Sequence, residues 1–150
     1  MKKTYFLSSL LFIFVSCIHT QDIIDERVSN QIPSEANQVI IETSLSDDEL
    51  FDTISETLIR EGHRIERDRE LMSINTEGRD IGLTTYVRYN LLIADGTVTG
   101  RVDWMSESHS KSNSGVYWRE AKWTAGRSAR AFASLTDLLL QFEHETFRFK

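Results

Sequence analysis

The chain has 150 residues, 27% of them charged and 40% apolar, with seven Gly, one Pro, one Cys and a formal net charge of −6. That is one domain's worth of length, and the low Gly and Pro content excludes collagen-like, low-complexity and wholly disordered chains. A single cysteine excludes an internal disulfide and a multi-Cys zinc site, and the acidic balance argues against non-specific nucleic-acid binding.

Lys2-Lys3, an apolar run from Tyr5 to Val15 and the small residue Ser16 before Cys17 form the layout of a signal peptide over residues 1–16. The run is about a dozen residues, short of the ~20 that cross the hydrocarbon core, so it reads as an export signal rather than a permanent span. Phe14-Val15-Ser16-Cys17 resembles a bacterial lipobox, with Phe14 where that family prefers Leu. The resemblance implies cleavage before Cys17, a diacylglycerol on its sulfur, and a place in the cell envelope, with the outer membrane as the expected bilayer. Acyl chains at ~0.8 kcal/mol per buried methylene hold such a protein without a membrane helix. The alternative is an ordinary secretory signal with a coincidental Cys. Cleavage would remove Lys2 and Lys3 and move the net charge from −6 to −8.

Residues 17–36 carry Asp22, Asp25, Glu26 and Glu35 against Arg27 alone, include Pro33 and show no sustained period, so they read as a lipidated tether. About 20 flexible residues span roughly 25 Å. A single globular domain is then expected over residues 37–150, a size that folds without disulfides or metal. Gln38 to Thr43 reads as a strand. Ser46-Asp47-Asp48-Glu49 is a capping box, with Leu45 and Leu50 spaced for a hydrophobic staple. Leu50, Phe51, Ile54, Leu58 and Ile59 follow the helical period, and Gly62 supplies the stop.

His63 to Asp68 and Glu70 to Thr76 read as two short strands around a charged turn. Asp95-Gly96 is a two-residue hairpin signal that sets a register by itself. Pairing Ala94 with Thr97 puts Ile93 opposite Val98, Leu91 opposite Gly100, Tyr89 opposite Val102 and Val87 opposite Trp104, all on one face. The other face pairs Arg88 with Asp103 and Asn90 with Arg101, so turn chemistry and binary pattern agree. Ser106 to Gly115 reads as a polar loop. Val116 to Thr124 reads as a further strand whose facing is ambiguous: either parity drags charged residues inward. The last helix, about Ser128 to Glu143, carries an apolar stripe of Ala131, Phe132, Leu135, Leu138, Leu139 and Phe142. The expected fold is α+β, an antiparallel sheet of five to six strands with two helices on one face, in the order βαβββββα.

From Asp48-Glu49-Leu50-Phe51 through Leu58-Ile59-Arg60-Glu61-Gly62 and Ser73-Ile74-Asn75-Thr76 to the hairpin and closing helix, the chain resembles the helix-grip modules of small exported bacterial lipoproteins. The likeness covers about Val39 to Phe142 and lies in element order and hydrophobic spacing. It implies a non-catalytic binding or scaffold domain and carries over no site residues.

The residues themselves offer little chemistry. His19, His63, His109 and His144 do not recur at ligand spacing, and nucleophile-elbow, P-loop, HExxH and GxGxxG motifs are absent. Asp47, Asp48, Glu49 and Asp52 suit the positive end of the first helix. No catalytic residue, metal or cofactor is expected. Two groups are candidates for binding. Tyr117, Trp118, Arg119, Lys122 and Trp123 form an aromatic and basic strand suited to an envelope partner, although such Trp residues also serve as core. Arg127, Ser128 and Arg130 start the last helix with cations at its positive end, where an anion would fit. The expected function is binding or scaffolding another envelope component. The alternative is a carrier of a small apolar ligand, held between helices and sheet, where Gly100 opposite Leu91 leaves room.

Overall fold

A computed structural model describes residues 28, 31–107 and 117–150. Its longest elements are β5 (Thr85–Ala94) and β6 (Thr97–Ser106), joined by Asp95 (φ 53°) and Gly96 (φ 69°). Two positive φ values in succession make the mirror-image turn whose twist matches the strands, which is why this dipeptide sets the hairpin. The register is the expected one, Ala94↔Thr97 through Val87↔Trp104 and on to Thr85↔Ser106.

The other elements are β1 (Val39–Glu42), α1 (Asp47–Arg60), β2 (Ile65–Asp68), β3 (Ser73–Thr76), β4 (Arg79–Asp80), β7 (Arg119–Glu120), α2 (Gly126–Leu139) and β8 (Thr146–Phe149). All pairings are antiparallel. The strand order is β2-β3-β5-β6-β1-β8, with β4 continuing beside β5 and β7 beside β6. Among the described residues the fold is therefore α+β, with an antiparallel sheet and two helices, but the sheet has eight strands there rather than five to six. The surplus comes from the two-residue β4, which follows its long neighbour β5, and from β8, which sequence pattern does not announce.

One face of the sheet is buried: Val39, Ile41, Ile74, Val87, Tyr89, Leu91, Ile93, Val98 and Val102 form a single core with Leu50, Phe51, Ile54 and Leu58 of α1 and Phe132, Leu135 and Leu139 of α2. Both helices thus cover the same face, α1 over β2, β3 and β5, and α2 over β5, β6 and β1. Each such side chain removed from water contributes about 1.5–3 kcal/mol before entropy is charged against it.

α1 starts as its capping box dictates. Ser46 Oγ accepts from the Glu49 amide at 3.4 Å, and Glu49 Oε2 accepts from the Ser46 amide at 3.0 Å. It stops at Gly62 (φ 84°), where His63 N–H closes on Leu58 O at 2.9 Å. Leu45 and Ile59, expected in the staple and the stripe, are exposed. α2 ends at Leu139, one turn before the expected Glu143, so Glu143 and Glu145 lie beyond the helix and incur no dipole penalty. Phe142 is still buried, in the turn that sends Glu145 N–H to Glu42 O at 2.8 Å and starts β8.

Packing also reaches into the segment read as tether. Ile32 and Ala36 are buried, and Glu35 N–H donates to Trp123 O at 3.0 Å. The signal peptide 1–16, Cys17, His19, and His109 with most of the Ser-rich loop lie outside the described residues. Among the described residues no helix is long and apolar enough to cross a membrane.

Candidate functional site

The face of the sheet turned away from the helices is built by strand alternation. β5 and β6 place Arg88 opposite Asp103 there, and Arg88 Nε donates to Asp103 Oδ2 at 2.9 Å. Asn90 Nδ2 donates to the same oxygen at 3.2 Å. Trp118 lies over the Arg88 guanidinium, 4.8 Å from the ring centroid. Gly78 makes room for it: a Cβ at that position would stand 2.7 Å from the indole. Tyr117, beside it, is 60% exposed.

The ambiguous strand resolves by dividing its residues. Only Arg119 and Glu120 pair as a strand, opposite Trp104 and Asp103. Ala121 is buried, and Trp123 is half-buried with its ring 6.2 Å from Phe132, so this parity faces the core at its C-terminal end. The opposite parity carries Trp118 to Arg88 and leaves Lys122 exposed, paired with Glu35 at 3.2 Å. Arg119 is exposed although its parity is that of Ala121, because β7 is a sheet edge. The five residues of the expected partner surface therefore do not share one face. Tyr117, Trp118, Arg119 and Lys122 remain accessible, whereas Trp123 packs.

The expected anion group is also divided. Ser128 Oγ accepts from Lys122 N–H at 2.8 Å and donates to Lys122 O at 2.9 Å, which commits it to the chain behind the helix. Arg127 and Arg130, in contrast, line one groove of about 670 Å³ with Leu83, Thr84 and Gly126. The space beneath the helices is different. A Cβ on Gly100 would meet Leu139 at 2.9 Å and Leu135 at 3.1 Å, so the room left opposite Leu91 is filled by side chains.

The acidic start of α1 is used structurally. Asp47 accepts from the amides of Asp95 and Gly96, Asp48 and Asp52 bind Arg69, and Glu49 closes the cap. No group of three metal-ligating side chains occurs among the described residues.

A buried polar cluster escaped the sequence reading. His63 is 8% exposed, its ring 5.4 Å from Tyr89. Arg79 donates toward its Nε2 at 3.1 Å, which assigns the proton of the neutral ring to Nδ1; that atom has no acceptor among the described residues. Burial, and then the Arg79 charge, push the His63 pKa below its ordinary 6.5. Burial likewise raises Tyr89, which meets Ser134 of α2, and lifts Asp137 to about 6. The available signal was spacing: Asp137 stands three and four positions after Ser134 and the buried Ala133, on a flank of the apolar stripe.

No family model, no curated protein and no solved structure matches the chain.

Proposed function

We propose that the chain is an exported module of helix-grip type, anchored to the bacterial envelope, at the outer membrane, by lipid on Cys17. In this reading it acts without catalysis, by binding another envelope protein. The observation that carries the reading is the Trp118–Arg88–Asp103 stack on the sheet face opposite the helices, with exposed Tyr117 beside it. Aromatic and Arg side chains already held in place lose little freedom on binding, which is what an interface anchor requires. The filled space around Gly100 favours this over a carrier with an internal cavity.

The test uses a photo-crosslinking residue in living cells at Tyr117 and, as control, at Glu56 on the exposed side of α1. A discrete adduct from position 117, weakened about tenfold by Arg88→Ala and absent from position 56, is expected. Equal adducts from both positions, or none from 117, would refute the reading. Labelled palmitate should enter the wild-type chain and not Cys17→Ser.

A further inference from the structure

Gly78 and Arg79, neighbours in the chain, serve opposite sides of the sheet. Gly78 faces outward, where its missing Cβ makes the seat of Trp118 against Arg88. Strand alternation then turns Arg79 to the helix side. There its Nη1 donates to Glu61 O at 2.7 Å, just past the end of α1, and to His63 Nε2 at 3.1 Å. This clasp holds a weak element. β4 is an exposed two-residue strand paired with β5 alone among the described strands. The turn that follows it carries Leu83 (φ 50°) and Thr84 (φ 57°), both in a left-handed conformation that side chains disfavour.

Arg79 can donate to Nε2 only while that nitrogen keeps its lone pair. A proton there would set two donors and two positive charges face to face at 3.1 Å, beside a ring that is almost wholly buried. An alternative partner stands ready: the Glu61 carboxylate, half-exposed, is 3.9 Å from the same nitrogen. The groups facing the ring are thus Arg79 of β4, Glu61 beyond α1 and Tyr89 of β5, while Asp137 of α2 acts on Tyr89 rather than on the imidazole.

We propose that protonation of His63 exchanges Arg79 for Glu61, loosens β4 and the Gly78 seat with it, and releases Trp118 from Arg88, so that acid dismantles the anchor on the outer face. Burial and the Arg79 charge hold the His63 pKa below 6.5, which confines the exchange to acid conditions. An exported domain meets the pH of its surroundings without cytoplasmic buffering. As regulation of the partner surface the inference rests on the reading above; the exchange itself does not.

The experiment uses the chain from position 17 with Cys17→Ser, which retains every described element and needs no partner. The indole N–H resonance of Trp118, identified by its loss in Trp118→Phe, is followed by NMR from pH 7.5 to 5 together with the His63 ring. Both are expected to move with one shared midpoint below 6.5. His63→Gln should hold Trp118 at its neutral-pH position throughout, Arg79→Gln should hold it at its acid position, and Asp137→Asn should leave the transition in place. Should His63→Gln fail to fold, Glu61→Gln carries the test, because losing the receiving carboxylate must move the midpoint to lower pH. A Trp118 resonance that stays fixed while His63 titrates, a transition that persists in His63→Gln, one abolished by Asp137→Asn, or a midpoint unmoved by Glu61→Gln would each overturn the proposal. In cells the position-117 adduct should weaken several-fold at pH 5. A Trp118 transition without any adduct sinks the partner reading and leaves the exchange standing, whereas equal adducts at both pH values with Trp118 fixed do the reverse.

Discussion

Asp47 Oδ1 accepts from Gly96 N–H at 2.7 Å while its Oδ2 accepts from Asp95 N–H at 3.1 Å, so the first residue of α1 closes the hairpin turn 48 positions away. A carboxylate in the first turn of a helix needs no such partner to be favourable. Here it ties the helix to the sheet. Asp47→Ala is expected to cost about 1–2 kcal/mol, since hydrogen bonds to a charged group exceed the neutral value. Urea unfolding would show it as a lower midpoint with an unchanged slope.

Gly78 exists for Trp118. An added Cβ meets the indole rather than a movable aliphatic tip, so Gly78→Ala should displace Trp118 from Arg88 while costing less than about 1 kcal/mol, because the site is on the outer face. Tryptophan emission should shift, and the adduct at position 117 should weaken. An unchanged emission spectrum would mean that the ring tolerates the methyl where it stands.

Gly100 makes the opposite case. Its surroundings are the tips of Leu91, Leu135 and Leu139 in a filled core, and overpacking there costs about 1–3 kcal/mol. Gly100→Ala should therefore lower stability, and Leu139→Val added to it should recover part of the loss. Double-mutant analysis by urea unfolding measures that coupling.

One buried group, His63, and one half-buried group, Asp137, give stability a pH dependence from both sides. His63 has its pKa lowered by burial and by Arg79, so its contribution is present above 6.5 and is lost as pH falls below that. Asp137 has its pKa raised from 3.8 to about 6 by burial; its contribution is present below about 4 and is lost as pH rises through 6. Asp137→Asn should remove the loss between pH 4 and 6 and stabilise the protein at pH 7 by about 1 kcal/mol, after discounting for its partial exposure. His63→Gln should flatten the acid limb instead. Thermal unfolding across pH 4–8 reads both.

The hairpin was legible because two local rules agree on it. A two-residue Asp-Gly turn admits one register, and that register puts Tyr89, Leu91 and Ile93 on the face that Val98 and Val102 share. The start of α1 was legible for the same reason, since Ser46 and Glu49 satisfy each other without help from the rest of the chain. Less was legible at the surface. Tyr117, Trp118, Arg127 and Arg130 stood out by type, yet alternation alone could not say that Trp118 turns toward Arg88 while Trp123 turns toward Phe132. Both choices depend on neighbours far away in the chain.

Residues 1–17 by themselves determined the expectation of export and a lipid anchor, and the hydrophobic periods determined an α+β domain with its helices on one side. The eighth strand was decided only by tertiary structure. Thr146–Phe149 is a four-residue alternation too short to stand alone, but β1 offers it an open edge, with Ile40 opposite Arg148 across 108 positions and Glu42 binding both Thr146 and Arg148. A strand at an edge draws its stability from a partner's unpaired amides and carbonyls, and nothing in the local pattern records where that partner will be.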